Sequence, residues 1–215
     1  MLADAIEILR RGYVVALTDG ACPNHTEPSL GSYLENPRRF WTGWLYSHHL
    51  PSCPSEIDLD LTRLQELGLL REIITTSTDN RHHLSGSKDV IEINGNVERC
   101  VCNGCNRVLA RADAKRTNPQ SPNCRTCGGL LIPSHLRGEN PRMIELALKA
   151  VSNCRSLLVV DVASPHVYPY SLFCLTAKRT GSHLIGLGSV SDRLIDLEIR
   201  AKSSKQALRT ILSKL

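Results

Sequence analysis

Pro141-Arg-Met-Ile-Glu-Leu-Ala-Leu-Lys-Ala-Val-Ser-Asn-Cys-Arg-Ser-Leu-Leu-Val-Val160 is the stretch whose reading decides the fold. Proline stands at a favourable first helical position, because the N–H it lacks is one that a helix start leaves unpaired anyway. Ile144, Leu148 and Val151 then line one face at helical spacing. Ser156-Leu-Leu-Val-Val160 follows without polar alternation, which predicts a strand buried on both faces of a parallel sheet. The unit recurs downstream: Leu172, Leu175 and Ala177 sit on a helix ended by Gly181, and 183–187 reads as the next strand.

The same alternation runs upstream. Leu2, Ile6 and Leu9 predict a helix over 2–11 stopped by Gly12, and Tyr13-Val-Val-Ala-Leu17 a short buried strand. Leu61, Leu64 and Leu67 mark a second helix before Gly68, followed by strands at 71–76 and 89–93. A last strand from Leu194 to Ile199 precedes a C-terminal helix with Ala207, Leu208, Ile211 and Leu215 on its apolar side. Helices alternating with short apolar strands give an α/β fold, a parallel sheet covered on both faces. Residues 18–58 change character, rich in Pro, Ser, Asn and Gly around Phe40, Trp41, Trp44 and Tyr46, and read as loop and short helix. Trp41 and Trp44 are read as packing for that small module.

Cys102-Asn-Gly-Cys105 and Cys124-Arg-Thr-Cys127 interrupt the α/β pattern. Two Cys-x-x-Cys pairs at this separation match a four-thiolate zinc site, with Gly104 and Gly128-Gly129 allowing tight knuckles. Four protein ligands close the tetrahedron, so zinc there holds a segment that has no core of its own and activates no water. Cys100 is the nearest substitute ligand, and Cys22, Cys53, Cys154 and Cys174 read as ordinary buried thiols.

The chain has 215 residues and nine cysteines, an odd count that argues against a secreted disulfide framework. Clustered thiols point to a reducing compartment, so the expectation is an intracellular protein, cytoplasmic or nuclear, or in an organelle such as the mitochondrion. Apolar runs fall far short of the ~20 residues of a membrane span. The net charge of +5, with Arg99, Arg107, Arg111, Lys115 and Arg116 near the cysteines, permits contact with nucleic acid or an acidic partner without demanding it.

The order of these elements resembles the sirtuin family of NAD-dependent protein deacylases and ADP-ribosyltransferases. Ile74-Thr-Thr-Ser-Thr-Asp79, His82-His-Leu-Ser-Gly86 and Glu92-Ile-Asn-Gly95 are similar to the family's T-Q-N-I-D, L-H-x-x-A-G and E-L-H-G segments. The cysteine pairs follow at the family's place. Pro133 with Gly138-Glu139, and Val159-Val160 with Val167-Tyr-Pro169, resemble further family segments. The resemblance covers residues 2–23 and 57–215. It implies a Rossmann-like large domain over 1–23, 57–98 and 130–215, a small helical and loop insertion over 24–56, and a zinc module over 99–129. It further implies a cleft for NAD and peptide, with Thr18, Gly20, Ser77, Asp79 and Ser164 at cofactor-binding positions.

Departures from the family's pattern concentrate in that cleft. Where the family has L-T-G-A-G-I-S, the chain reads Leu17-Thr-Asp-Gly-Ala-Cys-Pro23, placing a carboxylate at Asp19 and a side chain at Ala21 where glycines let a pyrophosphate approach. The P-D-F-R segment has no match in 24–58, Ser77 takes the asparagine position, and Val162-Ala163 replaces G-T before Ser164. Asn94 occupies the position of the family's catalytic histidine, and an amide cannot take up a proton near neutral pH. His82, His83 and His135 are read as surface or loop histidines. These losses lead to the expectation of a catalytically inactive, sirtuin-like zinc protein in which NAD binding is doubtful, serving as a structural or protein-interaction subunit of a larger assembly. The alternatives are a divergent NAD-dependent deacylase or ADP-ribosyltransferase, and a nucleic-acid-contacting component of a ribonucleoprotein particle.

Overall fold

The computed structural model describes residues 2–19, 30–46, 53–117, 122–188, 190 and 192–215. Six strands form one parallel sheet in the order β3-β2-β1-β7-β8-β9, with β1 at Val14–Thr18, β2 at Glu72–Thr75, β3 at Val90–Glu92, β7 at Ser156–Val160, β8 at His183–Gly188 and β9 at Leu197–Arg200. The central strands β1 and β7 are buried at every position, as their unbroken apolar runs require.

Successive strand residues point to opposite faces, so each face receives its own set of helices. Val14, Ala16, Leu158 and Val160 pack under α1 (Leu2–Arg10), α4 (Glu56–Glu66) and α9 (Ser204–Leu212) through Leu9, Leu61, Leu64, Leu208 and Ile211. Val15, Leu17, Leu157 and Val159 pack under α7 (Pro141–Asn153) and α8 (Tyr170–Arg179) through Ala147, Val151, Phe173 and Ala177. Ser55 starts α4 with a reciprocal cap, its hydroxyl accepting from the Asp58 amide while the Asp58 carboxylate accepts from the Ser55 amide.

A second, antiparallel sheet of order β5-β4-β6 carries the cysteines, with β4 at Arg99–Cys102, β5 at Val108–Ala110 and β6 at Leu131–Pro133. Helix α6 (Arg111–Thr117) follows β5 directly. This module is not coreless, as the sequence led one to expect. Cys100, Cys102, Ala114, Cys124 and Leu131 share a core with Tyr33, Phe40 and Trp41 from α2 (Leu30–Glu35) and α3 (Pro37–Tyr46). The three rings meet edge to face at 5.3–6.3 Å, and Tyr33 Oη donates to the Leu131 carbonyl at 3.4 Å. The helical insertion therefore caps the zinc module. The side chain of Trp44 lies outside the described residues.

The last strand begins at Leu197 instead of Leu194, because the amide of Leu194 donates to Asp192 Oδ1 in a turn. A short helix α5 (Arg81–Leu84) and a 3₁₀ turn at Ser134–Arg137 were not foreseen. Among the described residues, no helix is long and apolar enough to cross a membrane.

Candidate functional site: a crevice at the strand ends and a four-cysteine centre

Strand order reverses at β1 and β7, whose successors run to opposite sides of the sheet. In open parallel sheets that reversal leaves a crevice beyond the C-terminal strand ends. Thr18, Asp19, Ser77, Asp79, Val160 and Asp161 line a cavity of about 110 Å³ there. Asp161 holds a left-handed backbone with φ of 54°, an uncommon conformation for a residue with a side chain and one that clusters at functional sites.

Each predicted residue has a definite place, with one exception. Thr18 ends β1 and is buried, its Oγ1 3.2 Å from His82 Nε2. The Asp79 amide donates to Ser77 Oγ at 3.4 Å, and Asp79 in turn accepts from the Arg81 amide at 3.1 Å and faces its guanidinium. Asn94 lies past β3 and donates to the Thr76 carbonyl at 3.1 Å. Ser164 is half-buried in the loop after β7, apart from the residues that line the cavity. Gly20 lies outside the described residues, as do Ala21, Cys22 and Pro23.

His82 is a correction. It is buried, not a surface or loop residue, with Nδ1 3.2 Å from Asp58 Oδ1 beneath Thr18. Burial holds its basicity below the ordinary histidine value against the opposing pull of Asp58. The Asp58 carboxylate is fixed by Ser55, whose amide and hydroxyl donate to it at 2.7 and 2.6 Å. His83 is half-buried against Glu92 at 3.1 Å. His135 is half-buried, and burial, with a contribution from Arg111, takes it down to about 4.

Sequence reasoning missed Asp58, Asp161 and Tyr170. The signals were there for two of them: Ser55-x-x-Asp58 is a helix-start pattern, and Asp161 directly follows a buried strand at its C-terminal end. Tyr170 reaches Asp19 across 151 residues of sequence, and no local pattern announces that contact.

The four predicted metal ligands do converge. Cys102, Cys105, Cys124 and Cys127 bring their Sγ atoms within 4.8 Å of one another, with 3.4 Å between Cys102 and Cys127 and 3.8 Å between Cys105 and Cys124. A tetrahedral zinc with bonds of ~2.3 Å separates its sulfurs by about 3.8 Å, so the donor set fits zinc and is too open for disulfides. The amides of Thr126 and Cys127 point at Cys124 and lower its thiol to about 6, favouring the thiolate a metal needs. Gly129 lets the two knuckles approach closely, since a Cβ there would meet Cys102 Sγ at 3.0 Å and the Gly104 amide at 3.1 Å, tighter than ordinary contact. Cys100 is buried outside the cluster, with its thiol pushed up to about 12 by burial. Cys154 and Cys174 are buried as expected, whereas Cys53 is exposed.

A sequence model of the Sir2 family matches residues 27–169, running through 27–56 where the motif reading found no counterpart. An NAD-dependent protein deacylase of Aeropyrum pernix is 30% identical over 185 residues, covering 83% of this chain and 75% of that protein. An NAD-dependent protein deacetylase of Sulfolobus acidocaldarius is 32% identical over 188 residues, covering 81% and 72%. Among solved structures, a Sir2 protein bound to acetylated peptide matches with a TM-score of 0.79 at 21% identity, over 100% of this chain and 98% of that one. The last likeness concerns the fold alone.

These findings overturn the expectation of a catalytically inactive subunit and the doubt about NAD. Relatives matched over 71–75% of their own length are named as NAD-dependent enzymes. Among the described residues, Thr18, Ser77 and Asp79 are gathered at one set of strand ends despite departures at single positions, a grouping that position-by-position reading does not reveal.

Proposed function

This chain belongs to the Sir2 family, and from that premise we propose that it is an NAD-dependent protein deacylase acting on acylated lysine side chains. The observation that carries the reading is the crevice where Thr18, Ser77, Asp79 and Asp161 meet at the reversal of strand order. Hydroxyls and carboxylates are the groups that take up sugar hydroxyls and a carboxamide N–H. When bound, the dinucleotide supplies a sugar carbon with nicotinamide as its leaving group. The described residues suit it: sugar-binding groups are present, and the carboxylate of Asp19 accepts hydrogen bonds from Tyr170 and Thr76 instead of standing free. Val160 and Ile57 add apolar surface to the crevice lining.

Cys102, Cys105, Cys124 and Cys127 hold a structural zinc ion in the same reading, with no open position for chemistry. A reducing, intracellular compartment keeps those thiols available. The protein partner is the acylated substrate segment.

The test is nicotinamide release from NAD in the presence of a panel of acyl-lysine peptides, using zinc-loaded protein. Release with formation of free lysine is expected, and Asp79→Ala abolishes it. No nicotinamide from any peptide would sink the reading.

A further inference from the structure

Asp19 directly follows β1, at the strand end beyond which a dinucleotide pyrophosphate lies against backbone N–H groups in such folds. A free carboxylate there repels phosphate. The structure shows that this carboxylate is not free. Tyr170, the first residue of α8, donates its hydroxyl to Asp19 Oδ1, and Thr76, just past β2, donates to the same oxygen at 3.3 Å. Thr76 Oγ1 and Tyr170 Oη are themselves 2.8 Å apart, so the single hydroxyl proton of Thr76 is shared between Asp19 and the Tyr170 oxygen while Tyr170 donates to Asp19. Asn94 fixes the segment from behind by donating to the Thr76 carbonyl. Two departures from the family's pattern, at positions 19 and 94, thus converge on a single residue, Thr76.

We propose that Tyr170 is a positioning residue for the cofactor: with Thr76 it holds the Asp19 carboxylate in one place at the end of β1 and offsets its charge by hydrogen bonding, so that NAD can enter. The inference rests on the reading of this crevice as an NAD site. Its geometry is compatible with the half-buried setting of all three residues, where a charge left without donors acts over several ångströms. Burial and the facing carboxylate both push the Tyr170 phenol well above its ordinary value, so it stays a donor at neutral pH.

The experiment is calorimetric titration of NAD into the wild type, Tyr170→Phe, Asp19→Asn and the double variant, with thermal melts as a fold check. Tyr170→Phe keeps the ring and removes only the hydroxyl; its NAD affinity falls about 10-fold, equivalent to ~1.4 kcal/mol. The loss shrinks when salt rises from about 0.1 M to about 1 M, because the screening length drops from ~10 Å to ~3 Å. Asp19→Asn binds NAD at least as tightly as the wild type, and the double variant matches Asp19→Asn. A merely structural tyrosine would give no such rescue and no salt dependence. Equal affinity of Tyr170→Phe and wild type overturns the proposal, as does weakened binding by Asp19→Asn, which would make the carboxylate itself a ligand. Absence of NAD binding to the wild type is a separate result that overturns the NAD-site reading and the proposal with it.

Discussion

Asn94 Nδ2 donates to the backbone oxygen of Thr76 at 3.1 Å, so an amide that cannot accept a proton is pinned at the C-terminal edge of β2. In the resembling family this position carries the histidine that acts as base.

Turnover is therefore expected to be slow and improvable. Asn94→His introduces a proton acceptor worth about 10²-fold or more in rate. Single-turnover deacylation with NAD and an acetyl-lysine peptide measures it. An unchanged rate would show that proton removal at this position does not limit the reaction.

Removing the metal should undo the aromatic core before the sheet. Trp41 is fully buried among Tyr33, Phe40, Cys102 and Leu131, which belong to the cluster the thiolates anchor. Chelation, or Cys105→Ser, is expected to red-shift tryptophan emission and to lower the melting temperature by about 10 °C or more, since each kcal/mol moves a domain of this size by about 2–4 °C. Emission that stays unchanged after zinc is removed would contradict the shared core.

Acid should destabilise the fold in a defined window. His135 titrates near 4 in the folded chain against an ordinary value of 6.5, and His82 is lowered too, so the unfolded chain binds more protons between those values. Stability then rises with pH across the window, and falls as pH drops from 6.5 toward 4. His135→Gln removes one titrating group and flattens this limb of the urea-unfolding profile. A slope identical to the wild type would show that His135 does not carry it.

Gly188 ends β8 in a left-handed conformation with φ of 75°, and a Cβ there would meet the Ser204 amide at 2.5 Å. The start of α9 is pressed against that strand end, where Ser204 Oγ donates to the Leu187 carbonyl at 3.0 Å. Gly188→Ala is expected to cost about 2 kcal/mol or more from backbone strain and the clash together. Equilibrium denaturation checks this, and a loss below about 0.5 kcal/mol, the range of an ordinary surface substitution, would refute it.

Periodicity made the helices and strands of the α/β core legible, because burial on one face imposes a repeat of 3.6 on a helix, and burial on both faces imposes an unbroken apolar run on a strand. Residues 141–160 show both within one stretch, and the structure places α7 and β7 there with little shift. The cysteine spacing likewise carried the metal site, since two knuckles fix two ligands each through local backbone geometry. The core of the zinc module was illegible for the opposite reason. Tyr33, Phe40 and Trp41 lie far along the chain from Cys100 and Leu131, and no repeat links them.

The sequence by itself determined the alternating α/β order, the four thiolates and the identity of Asn94, because each depends on residue type and local spacing. Only the tertiary structure decided what Asp19 means. Read alone it is a charge where a phosphate belongs; folded, it accepts from Tyr170, 151 residues away, and from Thr76 on the neighbouring strand end. The electrostatic effect of a carboxylate is set by the donors around it, and those donors are supplied by folding.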